Sequence, residues 1–258
     1  MTKRVLVTRA AGSWPMLAAR FHGTDVEIQL SETTVPAEPI DPRPGDDAIG
    51  RLPSYDWLVV TSGRGVFALL NRLAASGLRS LPTQLRVAAV GPATARALIE
   101  AGVRVDHVAA DASSEGLVAS FGSLLTSAER LVVVRPEGGP GLLAAALRAT
   151  GAIVDEAPLY RTIASERAGA LADAAIAGAF AAVVFTAPSS FDLWLDAAGS
   201  RRDALASALE RVARVAIGPT TSARLLSAGL PANAVANAPS EEAVADAIAK
   251  ALGFDLLR

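Results

Sequence analysis

Basic and hydroxyl-bearing side chains recur in this chain directly after short apolar runs. Arg9 and Arg135 each follow such a run, and Gly-Pro-Ala-Thr at 91–94 returns as Gly-Pro-Thr-Thr at 218–221. In Gly-Pro-x-Thr, glycine permits a tight exit from a strand, proline presets the first helical turn, and threonine caps the helix or offers a hydroxyl to a ligand. The first N–H groups of such a helix bind carboxylate or phosphate, so the pattern predicts a site for an anionic ligand.

The third apolar run of each half is also followed by polar residues, Thr-Ser-Gly-Arg at 61–64 and Thr-Ala-Pro-Ser at 186–189. Acidic residues are scarce at these places, which favours a polyanionic ligand held between two domains. Two alternatives stay open: the arginines pair with neighbouring acids, and the threonines are helix caps only. The candidate binding residues are Arg9, Ser62, Gly63, Arg64, Thr94, Arg135, Thr186, Ser189 and Thr221.

Tyr160 is one of only two tyrosines and precedes an arginine and a threonine. If it faces the ligand, its phenol can donate a proton or a hydrogen bond to a leaving hydroxyl. The alternative is an aromatic side chain packed at a domain junction. Tyr55 suggests a structural role only.

Composition excludes several classes of function. The 258 residues contain no cysteine, which excludes disulfides and thiol chemistry, and His22 and His107 lack the spacing of metal ligands. A net charge of -2 gives no overall attraction to nucleic acid or to an anionic membrane. The uncharged stretch between Asp173 and Asp192 contains glycine, proline and serines, which favours a buried strand and a turn over a membrane span. We therefore expect a cytoplasmic protein, since a strand pattern begins at once after Met1.

The sequence nearly repeats itself. The Gly-Pro-x-Thr blocks are separated by 127 residues, the runs at 58–61 and 183–186 by 125, and those at 5–9 and 131–135 by 126. Three matches in one register indicate duplication of a unit of roughly 120 residues, about the size of one small domain.

Short apolar runs alternate with helical stretches rich in alanine and leucine. This pattern is typical of parallel strands that crossover helices bury on both faces, so it predicts an α/β fold with parallel sheets. In the first half we predict strands near 4–8, 25–30, 56–60, 86–90 and 104–108, and helices at 13–22, 64–76, 93–101 and 114–125. In the second half we predict strands near 130–134, 153–159, 181–185, 213–217 and 233–236, and a last helix at 241–252.

The segment 31–54 contains five prolines, which disfavours a helix and predicts an extended connection or a loop. If the chain crosses over there and at the matching point near 159–163, the two repeats exchange halves. Each domain then combines the first two strands of one repeat with the last three of the other. We expect one discontinuous domain of residues 1–33 and 164–258, a second domain of 37–158, and two linker strands at 31–38 and 158–164.

In these residues and in their order, the chain resembles the uroporphyrinogen-III synthase family over nearly its full length. No single block is decisive in so divergent a family, and the ordered series is the more specific signal. The blocks are Val-Leu-Val-Thr-Arg at 5–9, Asp-Trp-Leu-Val-Val-Thr-Ser at 56–62, Val-Gly-Pro-Ala-Thr-Ala at 90–95, 154–162, Val-Phe-Thr at 184–186 and Ile-Gly-Pro-Thr-Thr at 217–221.

The resemblance implies two three-layer α/β domains joined by a two-stranded linker, with the active site in the cleft between them and no cofactor or metal. It implies a cyclising hydro-lyase of porphyrin and heme biosynthesis. Hydroxymethylbilane, a linear tetrapyrrole carrying many carboxylates, would lose water and close with inversion of its terminal ring through a spiro intermediate. Such a reaction depends on orientation and on screening of a developing cation, and it requires no strong nucleophile.

Carried over by motif, Tyr160 matches the tyrosine that assists departure of the hydroxyl, and Ser62, Arg64, Thr94 and Thr221 match cleft positions. The chain departs from the family's Thr-Ser-Pro turn with Gly63 in place of proline and with alanine at 187 in place of serine. The implied partners are the substrate and a transient handover from hydroxymethylbilane synthase. We expect a monomer that binds neither nucleic acid nor membrane.

Two other classes remain open. A non-catalytic relative could bind tetrapyrroles, and a dinucleotide-dependent enzyme could use the Gly-Pro-Gly-Leu-Leu-Ala sequence at 139–144, which formally matches the dinucleotide fingerprint. The proline removes a useful N–H there, and Asp155 and Glu156 come early for a contact with ribose. The role of the glycine-rich loop 138–141 is not determined by the sequence.

Overall fold

The computed structural model describes residues 2–109, 113–121, 124–126, 128–139, 141–254 and 256. The chain divides into two compact units, the first formed by residues 1–35 and 163–258 and the second by residues 36–162. The chain passes from one unit to the other within two strands, β3 (Thr34–Ala37) and β8 (Ile153–Ala164).

The first unit contains a five-stranded parallel sheet. Its strands, in chain order, are β1 (Lys3–Val7), β2 (Val26–Leu30), β9 (Ala182–Phe185), β10 (Ala213–Ala216) and β11 (Ala234–Val235). Their spatial order is β11-β10-β9-β1-β2, with Val5 opposite both Ile28 and Ala182. The sheet therefore combines the first two strands of the first repeat with the last three of the second.

The second unit contains the complementary set of strands. In chain order they are β4 (Trp57–Val60), β5 (Arg86–Ala89), β6 (His107–Val108), β7 (Arg130–Pro136) and β8, and the sheet order is β3-β8-β7-β4-β5-β6. The pairs of β7 with β8, β4 with β7, β4 with β5 and β5 with β6 are parallel. Both sheets thus follow one plan, in which the first strand of a repeat lies between its second and the other repeat's third.

Helices cover both faces of each sheet. Those of the second unit are α1 (Arg43–Gly50), α2 (Gly63–Ala75), α3 (Pro92–Glu100), α4 (Ser114–Phe121) and α5 (Leu142–Ala149). Those of the first unit are α6 (Ala168–Ile176), α7 (Pro188–Ala197), α8 (Arg202–Glu210), α9 (Pro219–Ser227) and α10 (Glu241–Leu252). No helix of the described residues is long and apolar enough to cross a membrane.

Each sheet is buried on both faces, which gives three layers. In β4, for example, Leu58 and Val60 pack with α2 and α3, whereas Trp57 and Val59 pack with α4 and α5. All four of these side chains are buried. This accounts for the continuous apolar runs of the sequence, since a parallel strand with two covered faces has no solvent side.

The predicted helix at 13–22 is wrong in its type. Residues 11–17 form turns, and only a short 3-10 helix, Ala18–Phe21, follows them. Pro15 lacks an N–H and disfavours helical backbone at the residue before it. The apolar residues of this segment still face the core, because Trp14, Leu17 and Phe21 are all buried against the first sheet.

The prediction that the prolines disfavour a helix in 31–54 is also wrong, because α1 occupies Arg43–Gly50. Pro44 lies in the first turn of α1, where its missing N–H would have no intrahelical acceptor. Pro36 lies in β3, the edge strand of the second sheet, where a missing donor is tolerated. The number of prolines was therefore less informative than their positions. Of the predicted helix 114–125, residues 122 and 123 lie outside the described residues.

Helix α1 approaches β8 closely at Gly45. A methyl group built on Gly45 would lie 2.8 Å from Leu159 Cδ2 and 3.1 Å from the Pro158 carbonyl oxygen, whereas one built on Gly50 meets nothing within 4 Å. We expect Gly45→Val to lower the free energy of unfolding by about 1–3 kcal/mol through overpacking. The matched Gly50→Val should stay within about 0.5 kcal/mol of the parent. Urea denaturation of the two variants checks this, and equal stabilities would contradict the close approach.

Candidate active site

Four of the candidate binding residues lie just after the carboxyl ends of parallel strands, where ligands bind in open α/β sheets. Ser62 follows β4 and Thr94 follows β5 in the second unit, whereas Thr186 follows β9 and Thr221 follows β10 in the first. Because these strands are parallel within each sheet, their carboxyl ends all lie at the same end of the strands, which we call the carboxyl edge of the sheet.

The helices that begin at these edges have electropositive first turns. None of α2, α3, α7 and α9 carries an acidic residue in its first turn. The unpaired N–H groups and the helix dipole together attract negative charge. Each unit therefore offers two helix starts suited to carboxylate groups.

Thr94 and Thr221 lie in the first turns of α3 and α9, after the glycine caps Gly91 and Gly218, whose backbone is extended. Thr94 is 6% exposed and Thr221 is 3% exposed. Neither hydroxyl has a hydrogen-bond partner within the described part of the chain. Neither oxygen is among the fully buried side-chain atoms that lack a partner in the described residues, so both hydroxyls are accessible to a polar group that a ligand brings.

Ser62 and Tyr160 are brought together in the second unit. Ser62 is the N-cap of α2, and its Oγ accepts a hydrogen bond from the Gly65 N–H at 3.1 Å. The same oxygen lies 3.1 Å from the phenolic oxygen of Tyr160, and either atom can be the donor. A serine that caps a helix thus also contacts the candidate proton donor.

Burial raises the pKa of the Tyr160 phenol above its ordinary value, although the hydrogen bond with Ser62 and the positive charge of Arg64 act in the opposite direction. The side chain is 6% exposed and packs in the core on the α2 side of the sheet. The phenol therefore stays protonated at neutral pH, as a proton donor must.

Arg135 takes the alternative that the sequence left open and pairs with a neighbouring acid. Its guanidinium contacts the Glu156 carboxylate and donates hydrogen bonds to the carbonyl oxygens of Pro136 at 2.9 Å and Gly139 at 3.0 Å. Arg148 also binds Glu156, at 3.0 Å. Arg135 therefore holds the glycine-rich loop, and its assignment to the ligand loses support.

The same contacts disfavour a dinucleotide at 139–144. A methyl group built on Gly141 would lie 3.2 Å from a carboxylate oxygen of Glu156, so a carboxylate that is already paired with Arg135 and Arg148 stands beside the helix start that would receive a phosphate. The cavity next to Arg135 and Leu142 measures about 220 Å³, below the usual range of roughly 300–1,000 Å³ for small-molecule sites. Pro140 of this sequence lies outside the described residues.

In the first unit, hydroxyl groups at the carboxyl edge of the sheet form hydrogen bonds with one another and with the backbone. Thr186 donates to the carbonyl oxygen of Thr8 at 2.8 Å, and its N–H donates to the Thr8 hydroxyl at 3.1 Å. The Thr8 hydroxyl also lies 2.9 Å from the Val184 carbonyl oxygen and 3.1 Å from Ser190 Oγ. Thr186 thus ties β1 to β9, and its hydroxyl is already used within the protein.

The remaining candidates lie separately. Arg9 stacks on Trp14, with its guanidinium carbon 4.4 Å from the ring centre, and donates to Ser13 at 3.1 Å. Ser189 is half-buried in the first turn of α7, and Gly63 is the exposed first residue of α2.

Sequence reasoning missed Thr8 and Ser190. Ser190 Oγ accepts from the N–H of Ala187 at 3.3 Å, which is the half of a capping box that the residue inside the helix provides, whereas the alanine at 187 cannot provide the other half. Ser190 is 1% exposed. A serine three residues after a helix start that has no capping side chain was the available signal.

A metal site is not indicated. No group of three or more histidine, cysteine, aspartate or glutamate side chains within the described ranges could hold a metal ion. His107 lies on the edge strand β6, where its Nε2 is 2.8 Å from Ser120 Oγ, and burial lowers its pKa.

These features define a class: an α/β protein with two parallel sheets, hydroxyl-lined and electropositive helix starts, and a buried tyrosine at one sheet edge. Within this class, the chain belongs to the uroporphyrinogen-III synthase family. The family model described as uroporphyrinogen-III synthase HemD matches residues 26–246.

Two curated relatives are similar in sequence. The uroporphyrinogen-III synthase of Synechococcus elongatus is 32% identical over 161 residues, which are 62% of this chain and 61% of the relative. A putative uroporphyrinogen-III synthase of Methanothermobacter thermautotrophicus is 32% identical over 185 residues, which are 70% of this chain and 73% of the relative. The chain thus matches somewhat less than two thirds of the cyanobacterial protein's length.

Solved structures share the fold. A mutant uroporphyrinogen III synthase of Thermus thermophilus superimposes with a TM-score of 0.64 at 23% identity, over 97% of this chain and 99% of that one. The uroporphyrinogen-III synthetase of Helicobacter pylori gives 0.58 at 19% identity, over 94% and 96%. The likeness extends over nearly the whole of each chain.

The hydroxyl tie between β1 and β9 makes a prediction. Thr8→Val keeps the shape of a side chain that is 4% exposed but leaves the Thr186 N–H without its acceptor. We expect a loss of about 1–3 kcal/mol in the free energy of unfolding. Thr8→Ser keeps the hydroxyl and should recover most of this loss. Guanidinium denaturation checks both, and a Thr8→Val protein as stable as the parent would refute the role of the tie.

Proposed function

We propose that this protein is a uroporphyrinogen-III synthase, a cyclising hydro-lyase of heme and tetrapyrrole biosynthesis. Its substrate would be hydroxymethylbilane, and its products uroporphyrinogen III and water. The observation that carries the proposal is the buried Tyr160 phenol, hydrogen-bonded at the carboxyl edge of a parallel sheet in a chain of this family.

The proposed role of Tyr160 is proton donation to the departing hydroxyl. The terminal hydroxyl of the substrate leaves as water once it receives a proton, and a reactive azafulvene cation remains. The raised pKa of Tyr160 keeps the proton on the phenol until the leaving group needs it. A positioned acid of this kind contributes typically about 10²–10⁴-fold to a rate.

The helix starts are the proposed carboxylate sites. The first turns of α2, α3, α7 and α9 lack acids, and Thr94 and Thr221 supply accessible hydroxyls that make no hydrogen bond within the described ranges. Carboxylates bound there would hold the chain of pyrroles in one conformation. This matters because hydroxymethylbilane also closes spontaneously without ring inversion, so the enzyme must mainly select the geometry of attack.

The other candidate binding residues differ in their support. Arg64 lies close enough to lower the pKa of Tyr160, which places a positive charge near the reacting end of the substrate. Arg9, Gly63 and Ser189 stay predictions for binding. Arg135 and Thr186 are the weakest, because both are engaged within the protein.

Several further properties stay predictions from the sequence: the absence of a cofactor, the cytoplasmic location, the monomeric state, the lack of binding to nucleic acid or membrane, and the handover from hydroxymethylbilane synthase. The proposed linker strands and domain boundaries also stay predictions.

The experiment that tests the function supplies freshly generated hydroxymethylbilane, oxidises the products and separates the porphyrin isomers by chromatography, beside a reaction without protein. We expect the type III isomer to dominate. Type I isomer alone, formed at the spontaneous rate, would refute the synthase activity. Tight binding of the product in that case would identify a non-catalytic tetrapyrrole-binding protein.

Replacement of the phenol hydroxyl tests the proton donor. Tyr160→Phe keeps the ring in the core and removes the proton, and we expect turnover to fall at least roughly tenfold, equivalent to ~1.4 kcal/mol of barrier. Tyr55→Phe is the matched control, since Tyr55 is the other tyrosine and its hydroxyl donates to Asp155 at 2.7 Å, at the start of β8. The control should form type III isomer at the parent rate. An unchanged rate in a folded Tyr160→Phe protein removes Tyr160 from the mechanism.

A further inference from the structure

Tyr160 lies at an irregularity between β7 and β8. Arg135 pairs with Pro158, but the next residue of β7, Pro136, pairs with Tyr160, so Leu159 has no partner of its own. One extra residue in β8 at this point is a β-bulge. Bulges of this kind redirect side chains and are frequent near active sites.

The bulge moves Tyr160 to the other face of the sheet. Successive side chains of a strand point to opposite faces, so Tyr160 should face away from Ala157 and Leu159. Instead, all three belong to the same buried cluster, which contains Val60 and Val66. Without the extra residue, the phenol would point toward the α5 side rather than toward α2.

Proline chemistry accounts for the position of the bulge. Pro136 has no N–H with which to continue the ladder. The next residue, Glu137, donates its N–H to the Tyr160 carbonyl oxygen instead, at 2.6 Å. Pro158 also lacks a donor and stands opposite Arg135. Both strands therefore lack a backbone donor at the bulge.

Ser62 is held in place beside the phenol of Tyr160. Its Oγ accepts the capping hydrogen bond from Gly65, and a methyl group on Gly65 would lie 3.3 Å from Val134 Cγ1 and 3.4 Å from Val60 Cγ1. The first turn of α2 thus packs tightly on β4 and β7, which fixes the serine. A serine oxygen that accepts from the Gly65 N–H still has its own proton, so Ser62 can donate that proton to the Tyr160 oxygen.

We propose that Ser62 is the positioning residue of Tyr160 rather than a binding residue for the substrate, and that the bulge at Pro136 exists to aim the phenol at it. The inference rests on the proposed role of Tyr160 as the proton donor. When the phenol gives its proton to the leaving hydroxyl, the C–O bond breaks and water departs. The phenolate keeps the electron pair and accepts a hydrogen bond from Ser62.

The proton balance closes within one turnover. Attack that forms the spiro intermediate makes one C–C bond, its reopening breaks another, and the final closure makes a third at the unsubstituted carbon of the terminal pyrrole. That pyrrole then releases a proton to regain its aromaticity. This proton replaces the one that Tyr160 gave away, so the net loss is one water. A hydroxyl that is also held by a helix-start N–H is well suited to the phenolate stage, because hydrogen bonds to an ionised acceptor are stronger than those to a neutral one.

The first test observes Tyr160 directly by NMR of protein labelled with ¹³C at the phenolic ring carbon. The two tyrosines give two signals, which Tyr55→Phe assigns. We expect Ser62→Ala to raise the pKa of Tyr160, because the phenolate loses a donor, and Ser62→Thr to restore it. Ser240→Ala is the matched control, since Ser240 caps α10 through the Ala243 N–H at 3.2 Å but lies in the first unit.

The second test separates positioning from binding by kinetics. We expect Ser62→Ala to lower kcat about tenfold with KM changed less than about twofold, and Ser62→Thr to recover most of kcat. Ser62→Asp caps a helix as well as serine does but has no proton to donate, so it should fold normally and remain slow. Ser240→Ala should keep the parent kcat.

The outcomes are distinguishable from failure of the proposed function. An unchanged Tyr160 signal and pKa in Ser62→Ala would overturn the inference whatever the activity. A raised KM with unchanged kcat would make Ser62 a binding residue and also overturn it. A parent protein that forms no type III isomer would refute the synthase function, and the NMR result would still decide whether Ser62 holds the phenol.

Discussion

The constraint on which this structure depends is that parallel strands end at the same edge of their sheet. The backbone N–H groups that open each following helix then gather at that edge, together with whatever residues the turn carries. In both units these turns carry threonine, serine and glycine, and the helix starts α2, α3, α7 and α9 carry no acid in the first turn. An anion-binding edge thus follows from topology, and the side chains only refine it.

The two units carry different side chains at equivalent positions of the carboxyl edge. Thr8 of the first unit corresponds by repeat to Val134 of the second, and residue 187, an alanine, corresponds to Ser62. Both units keep a hydrogen bond from a threonine hydroxyl to the facing carbonyl, from Thr186 to Thr8 and from Thr61 to Val134. Only the first unit adds the Thr8 hydroxyl to this tie, whereas the second unit places its capping serine against Tyr160. Duplication kept the scaffold, and divergence placed the candidate acid in one copy.

Sequence reasoning predicted the sheets well because the repeat and the apolar runs report burial, which controls strand formation. It predicted local backbone less well. At 13–22 the spacing of Trp14, Leu17 and Phe21 is helical, but Pro15 excludes a regular helix, and at 43–50 a proline is compatible with one because it lies in the first turn. The sequence also placed Ser62 and Tyr160 in the site separately. Their contact requires a bulge that reverses the alternation of β8, and no periodic pattern contains that information.

The exchange of strands between the repeats also affects the order in which the chain can fold during synthesis. Residues 36–162 form a continuous unit that can fold as soon as it leaves the ribosome, but β1 and β2 must wait for β9, which begins at residue 182. At about 5–20 residues per second, the 127 residues of the second unit take roughly 6–25 s to make. During that interval Val5, Leu6 and Val7, which are fully buried in the finished protein, have no sheet to join. Strands β1 and β2 are thus synthesised before the second unit but belong to the unit that is completed last.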